Sequence, residues 1–76
     1  MRGMSHDRLT IVVAAFNEAD ALPVLHGRIL DVLDALRVDG IDGSVLYVDD
    51  GSRDRTWPVL QELATADARV ALVRLS

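Results

Sequence analysis

The sequence predicts an α/β fold in which a β-α-β-α-β unit forms one half of a doubly wound, parallel-sheet domain. Three short apolar runs rich in β-branched residues alternate with two segments whose apolar residues recur every three or four positions. Strands that alternate with helices are joined by right-handed crossovers and pair in parallel. Continuous apolar runs are typical of strands covered on both faces, so we expect helices on both sides of the sheet.

The first strand is predicted at residues 9–15, the second at 45–48 and the third at 70–75, where Arg74 interrupts the apolar run. The first helix lies between the first two strands and has one apolar stripe: Leu22, Leu25, Ile29, Leu33 and Leu36. Asp20 is placed to cap it and Pro23 fits its first turn, where the missing N–H costs nothing. Residues 38–43 contain two glycines and two aspartates and are predicted to form a loop.

The second helix follows the second strand and has a shorter stripe of Trp57, Leu60, Leu63 and Ala64. Asp54 is its predicted cap, and Pro58 falls in its first turn. We expect Trp57 to lie in the core. His6 and His26 are predicted to be surface residues, because neither has a second histidine or a carboxylate at a spacing typical of metal ligands.

Composition excludes several classes of function. The chain has 76 residues, 8 basic and 12 acidic, giving a net charge of −4, which disfavours binding to nucleic acid or to an anionic membrane. It has no cysteine, so disulfides, thiolate metal sites and cysteine nucleophiles are excluded. Typical domains have about 100–150 residues, so we expect a tail at residues 1–8 and part of a larger domain at residues 9–76.

Two polar, carboxylate-rich loops follow the first and second strands, at residues 16–20 and 49–54. The carboxyl ends of parallel strands meet at one edge of a sheet, where such folds bind ligands. No glycine-rich phosphate cradle is present, and carboxylates instead accept hydrogen bonds from N–H and O–H groups or bind a divalent cation. Asp50 suits the ring N–H of uracil or guanine, Glu18 a sugar hydroxyl, and Phe16 either a base or the core. The alternative is a purely structural role, in which these residues form only turns and helix caps.

The runs VVAAFNEADALP, VLYVDDGSRDRTWPVL and VALVRLS together resemble the N-terminal part of family 2 glycosyltransferases with the GT-A fold. Within that family the chain resembles the branch that transfers sugars to dolichol or undecaprenyl phosphate, in the assembly of cell-envelope glycans. The family usually has P-x-Y-N-E at the first strand exit, where this chain has Ala14 for proline and Phe16 for tyrosine. The resemblance implies a truncated half of the Rossmann-like GT-A nucleotide-sugar-binding domain.

The resemblance also implies which residues line the nucleotide pocket, namely Ala14, Phe16, Glu18, Val48 and Asp50. Asn17 and Asp49 would support the two loops. The family's catalytic base and metal-binding D-x-D motif would lie downstream, so a magnesium or manganese ion would be bound mainly by residues outside this chain.

The reaction implied is inverting transfer from a UDP- or GDP-sugar to an acceptor such as a polyprenyl phosphate, with this fragment alone inactive. The expected location is the cytoplasm, with membrane contact only through segments downstream. Two alternatives stay open: a receiver-like phosphoacceptor module, and a structural α/β fragment without a ligand. A receiver would have its acidic pair after the first strand, whereas here Asp49 and Asp50 follow the second.

Overall fold

A computed structural model describes residues 7–75, which form three strands and two helices in the predicted β-α-β-α-β order. The elements are β1 (Asp7–Ala15), α1 (Leu22–Val38), β2 (Ile41–Asp49), α2 (Thr56–Ala66) and β3 (Val70–Arg74). The predicted α/β class is therefore confirmed. The expectation for His6 lies outside the described residues. No helix within residues 7–75 has the length and apolar character needed to cross a bilayer.

The strands form one sheet in the order β1-β2-β3, and both pairings are parallel. The register aligns Ala15 with Asp49 and Asp49 with Arg74. The carboxyl ends of all three strands therefore lie side by side at one edge of the sheet.

Both β1 and β2 begin earlier than predicted, because residues at their starts pair with each other from Asp7↔Ile41 onward. Ladder pairing thus overrides the loop-like composition of residues 41–44. The connection from α1 shrinks to Asp39 and Gly40, and Gly40 has a φ of +79°, which glycine adopts at little cost. Gly43 lies in β2 under α1, where a Cβ would come within 2.7 Å of the Leu33 side chain. Its lack of a side chain lets the helix approach the sheet.

Both helices pack on the same face of the sheet, which corrects the expectation of cover on both faces. Val45 and Tyr47 are buried under them, whereas Val12, on the opposite face, is 64% exposed. The cause is the strand order: two right-handed crossovers that step in the same direction place both helices on the same side. The core therefore lies between one sheet face and the two helices.

His26 lies in that core, which corrects its prediction as a surface residue. The residue is 6% exposed, and its Nδ1 shares a 2.7 Å hydrogen bond with the Tyr47 hydroxyl. Burial lowers the pKa of His26, and burial raises the pKa of Tyr47. The sequence indicates this burial only by spacing, because His26 lies four residues after Leu22 and three before Ile29 on the buried face of the helix. Leu25, which was predicted on the apolar stripe, is instead exposed. Trp57 packs partly buried against the core, as predicted.

The predicted caps take different forms. The N-cap position of α1 is Ala21 rather than Asp20, and no side chain caps this helix. The Glu18 carbonyl instead accepts the N–H groups of Ala21 and Leu22, each at 3.0 Å. A backbone turn therefore takes the place of the predicted carboxylate cap, and Pro23 lies in the first turn as expected.

Candidate functional site

The candidate site is the edge where β1 and β2 end. We call it the rim and define it as loop 1, residues 16–21, together with loop 2, residues 50–55. The two loops leave neighbouring strands, and the Asp50 N–H donates to the Ala15 carbonyl at 3.4 Å. The prediction that adjacent parallel strands bring the two polar loops together is confirmed.

Asn17 ties loop 1 to loop 2 through both its backbone and its side chain. Its N–H donates to Ser52 Oγ at 2.9 Å, and its Oδ1 accepts the Arg53 N–H at 2.9 Å. Asn17 has a φ of +51°, in the left-handed region that asparagine tolerates better than most residues. Its residue type thus suits both the turn and the reciprocal pair of hydrogen bonds.

A second pair of contacts joins the loops at the start of α2. The Glu18 N–H donates to Thr56 Oγ1 at 2.8 Å, and the Ala19 N–H donates to Asp54 Oδ2 at 3.4 Å. Asp54 Oδ1 also accepts from the backbone N–H of Thr56, at 2.9 Å, and from its hydroxyl. The Thr56 hydroxyl is the main cause of a lowered pKa for the Asp54 carboxyl. The predicted Asp54 cap is therefore wrong in position, because Arg55 is the N-cap residue and no side chain caps this helix. Asp54 instead orders the start of α2 through its contacts with Thr56.

Asp49 lies beneath loop 2 with its side chain fully buried. Its Oδ1 accepts the Ser52 N–H at 3.0 Å, a contact of the kind expected of a residue that supports the loop. Its Oδ2 is buried and has no hydrogen-bond partner within the described part of the chain. The Arg74 Nε lies 4.0 Å from this second oxygen.

The predicted nucleotide-binding residues all lie at or beside the rim. Phe16 is 54% exposed, so it does not serve the core of this chain, and Glu18 and Asp50 are exposed as well. Ala14 and Val48 are register partners one residue before the ends of β1 and β2. They lie on the sheet face opposite the two helices. The structure thus gathers an aromatic ring, two exposed carboxylates and a small apolar surface at one end of the sheet.

The exposed carboxylates of the rim can accept hydrogen bonds from N–H and O–H groups. Among residues 7–75 no group of three histidine, aspartate or glutamate side chains is placed to hold a cation. Two cavities lie elsewhere. One of about 390 Å³ is lined by Leu33, Arg37 and Gly43 at the other end of the sheet, and one of about 490 Å³ lies along the outside of α2. Neither cavity is lined by a predicted site residue.

Three residues that organise the rim, Ser52, Thr56 and Arg74, were given no role in the site from the sequence. Thr56 accepts from Glu18 across the loops, and its position two residues after Asp54, in a D-x-T pattern, is the signal that could have indicated it. Arg74 lies beside Asp49 only because of the register of β3 on β2. No local pattern in the sequence reports that register.

Three curated proteins are similar to most of this chain and are named uncharacterized glycosyltransferases. YkoT of Bacillus subtilis is 34% identical over 71 residues, which cover 90% of this chain and 21% of that protein. The protein sll0501 of Synechocystis sp. is 35% identical over 68 residues, covering 90% of this chain and 20% of that protein. YkcC of Bacillus subtilis is 31% identical over 71 residues, which cover 93% of this chain and 21% of that protein.

The chain thus spans about a fifth of the length of the curated relatives that it matches. Residues 10–76 match the family model described as Glycosyl transferase family 2. That match includes both loops of the rim, all of β2 and β3, and β1 from residue 10 onward. The chain therefore belongs to glycosyl transferase family 2.

Proposed function

We propose that this chain is the nucleotide-binding portion of an inverting glycosyltransferase that takes its sugar from a UDP- or GDP-sugar. The observation that carries the proposal is the pair of cross-linked loops at the carboxyl ends of β1 and β2, with Phe16, Glu18 and Asp50 exposed there. Ligands of open parallel sheets bind at this end of the strands. Family membership supports the choice of a nucleotide sugar over other ligands.

The cross-links fix the backbone of the rim before any ligand arrives. The two contacts of Asn17 and that between Glu18 and Thr56 all have lengths of 2.8–2.9 Å. A preorganised site loses less conformational entropy on binding. This preorganisation therefore favours the binding of a nucleoside at the rim.

Asp50 reads the base in this proposal. An ionised carboxylate is only an acceptor, so it pairs with the ring N–H of uracil or guanine and not with the bare ring nitrogen of cytosine or adenine. Phe16 offers its ring to the base, and stacking on an aromatic side chain contributes about 1–3 kcal/mol. Glu18 accepts from a ribose or sugar hydroxyl, and Ala14 and Val48 line the uncovered sheet face beside it.

The remaining elements of the reaction belong to a longer parent protein in this proposal. The diphosphate of the donor would be neutralised by a magnesium or manganese ion bound mainly by residues outside this chain. The acceptor proposed is a polyprenyl phosphate, supported by the resemblance of the two loop motifs. The proposed location is the cytoplasm, with membrane contact made only by other parts of the parent. This chain alone supplies binding and orientation, not bond cleavage.

The proposal is tested by titrating the ¹⁵N-labelled chain with UDP, GDP, CDP and ADP and following the amide signals by NMR. We expect UDP or GDP to shift the signals of loops 1 and 2, with CDP and ADP binding about tenfold or more weakly, since a charge-assisted hydrogen bond is at stake. Asp50→Asn should abolish that preference, and Asp31→Asn, an exposed aspartate on α1, is the matched control. Shifts confined to other regions, or equal affinity for all four nucleotides, would contradict the proposal.

A further inference from the structure

The buried carboxylate of Asp49 is only half satisfied. Oδ1 accepts the Ser52 N–H, whereas Oδ2 is shielded from solvent and has no hydrogen-bond partner among the described residues. A buried charge without a partner is costly, so something nearby must offset it if the loop is to keep this conformation. Asp49 forms an ion pair with Arg74, whose Nε lies 4.0 Å from Oδ2.

Arg74 is held next to Asp49 in two ways. The register of the sheet places it opposite Asp49, and the Leu75 N–H donates to the Asp49 carbonyl at 2.9 Å. On its other side the guanidinium carbon lies 5.2 Å from the centre of the Trp57 ring, within the range of a cation–π contact.

These contacts connect the ends of all three strands. Arg74 at the end of β3 faces Asp49 at the end of β2, Asp49 holds the Ser52 N–H, and the Ser52 hydroxyl accepts the Asn17 N–H of loop 1. Each step is a single, identified atom pair. A continuous series of contacts thus links Arg74 on β3 to the loop that carries Phe16 and Glu18.

We propose that Arg74 is a positioning residue for the rim: its charge stabilises the buried Asp49 carboxylate, which in turn holds loop 2 against loop 1. Arg74 acts through Asp49 and needs no contact with the ligand. Its consequence for nucleotide affinity rests on the function proposed above, whereas its effect on the loop does not.

The test uses the 76-residue chain with Arg74→Met, which keeps a long side chain without the charge, and Arg74→Lys, which keeps the charge. Arg28→Met, on the exposed face of α1, is the matched control for loss of one positive charge. The first measurement is hydrogen exchange of the Ser52 amide without nucleotide, and the second is the affinity for UDP. Both are repeated with Asp49→Asn, alone and combined with Arg74→Met.

We expect Arg74→Met to lower Ser52 protection and UDP affinity by about fivefold each, the effect of a charge pair partly screened by solvent. Arg74→Lys should retain most of both, and Arg28→Met all of both. In the Asp49→Asn background, Arg74→Met should change neither quantity further.

Unchanged Ser52 protection in Arg74→Met would overturn the inference. So would a loss of equal size with and without the Asp49 carboxylate, because Arg74 would then act independently. If the unaltered chain binds no UDP, the proposed function fails, and the exchange of Ser52 still decides the role of Arg74.

Discussion

Replacing Thr56 with valine removes one hydroxyl and keeps the shape of a β-branched side chain. Thr56 is fully buried, and its Oγ1 accepts the Glu18 N–H at 2.8 Å, so Thr56→Val leaves that donor facing a methyl group. A buried donor left without a partner costs about 1–3 kcal/mol. Small domains are stable by only about 5–15 kcal/mol, so the loss is a substantial part of the total.

The assay is urea-induced unfolding monitored by circular dichroism. The urea dependence of the unfolding free energy is about 1 kcal/mol per molar for a chain at the small end of the range, so the midpoint should fall by about 1 M or more. Thr65→Val is the matched control, because its hydroxyl donates to the Gln61 carbonyl on the exposed side of the same helix. Its effect should stay within about 0.5 kcal/mol.

Thr56→Val should also raise the pKa of Asp54 towards its ordinary value, because the Thr56 hydroxyl is the main cause of its lowering. Equal stabilities for Thr56→Val and Thr65→Val, with the Asp54 titration unmoved, would refute the idea that Thr56 links the loops. A loss of stability without any change in the amide signal of Glu18 would refute it as well.

Two further predictions concern the core and its response to pH. Gly43→Ala should destabilise the chain by about 1–3 kcal/mol through overpacking, because the added carbon would lie 2.7 Å from a leucine side chain of α1. Gly27→Ala, in α1 itself, is the control: its added Cβ would have no neighbour within 4 Å, so it should stabilise the chain by about 0.5–1 kcal/mol. Urea unfolding measures both variants. For His26, burial lowers the pKa below 6.5, so the unfolded chain takes up a proton first and stability should decline as the pH falls below 6.5. Asp67, whose pKa is lowered to about 2 chiefly by hydrogen bonds from Arg69, titrates at much lower pH, so unfolding measured between pH 7.5 and 5.5 isolates the histidine. A flat profile over that range, or the same slope in His26→Gln, would contradict this assignment.

Much of the architecture was predictable because it depends on local patterns. The alternation of apolar runs with helical stripes determined the order of the five elements, and parallel pairing then placed both polar loops at one edge. Phe16, Glu18 and Asp50 could be assigned to that edge for the same reason: Phe16 and Asp50 follow directly on strand ends, and Glu18 lies two residues beyond Phe16.

The features that were missed depend on tertiary contacts. Which sheet face is covered follows from strand order, which the apolar runs do not encode. His26 is buried because it falls between two core positions and meets the Tyr47 hydroxyl on another element. Arg74 matters only through the β2–β3 register, and Asp20 lost its capping role to a backbone turn around the Glu18 carbonyl. A single-sequence pattern reports neither long-range partners nor competition between caps.

The most direct test of the central claim, that the rim binds a nucleoside, is the measurement of intermolecular NOEs between bound UDP and the chain. The chain has a single phenylalanine, so any NOE between the uracil protons and a phenylalanine ring must involve Phe16. We predict NOEs from the uracil protons to the Phe16 ring, with none to Leu33 or Arg37 at the other end of the sheet. NOEs to those two residues instead, in a chain that binds UDP, would contradict the assignment of the rim as the nucleotide site.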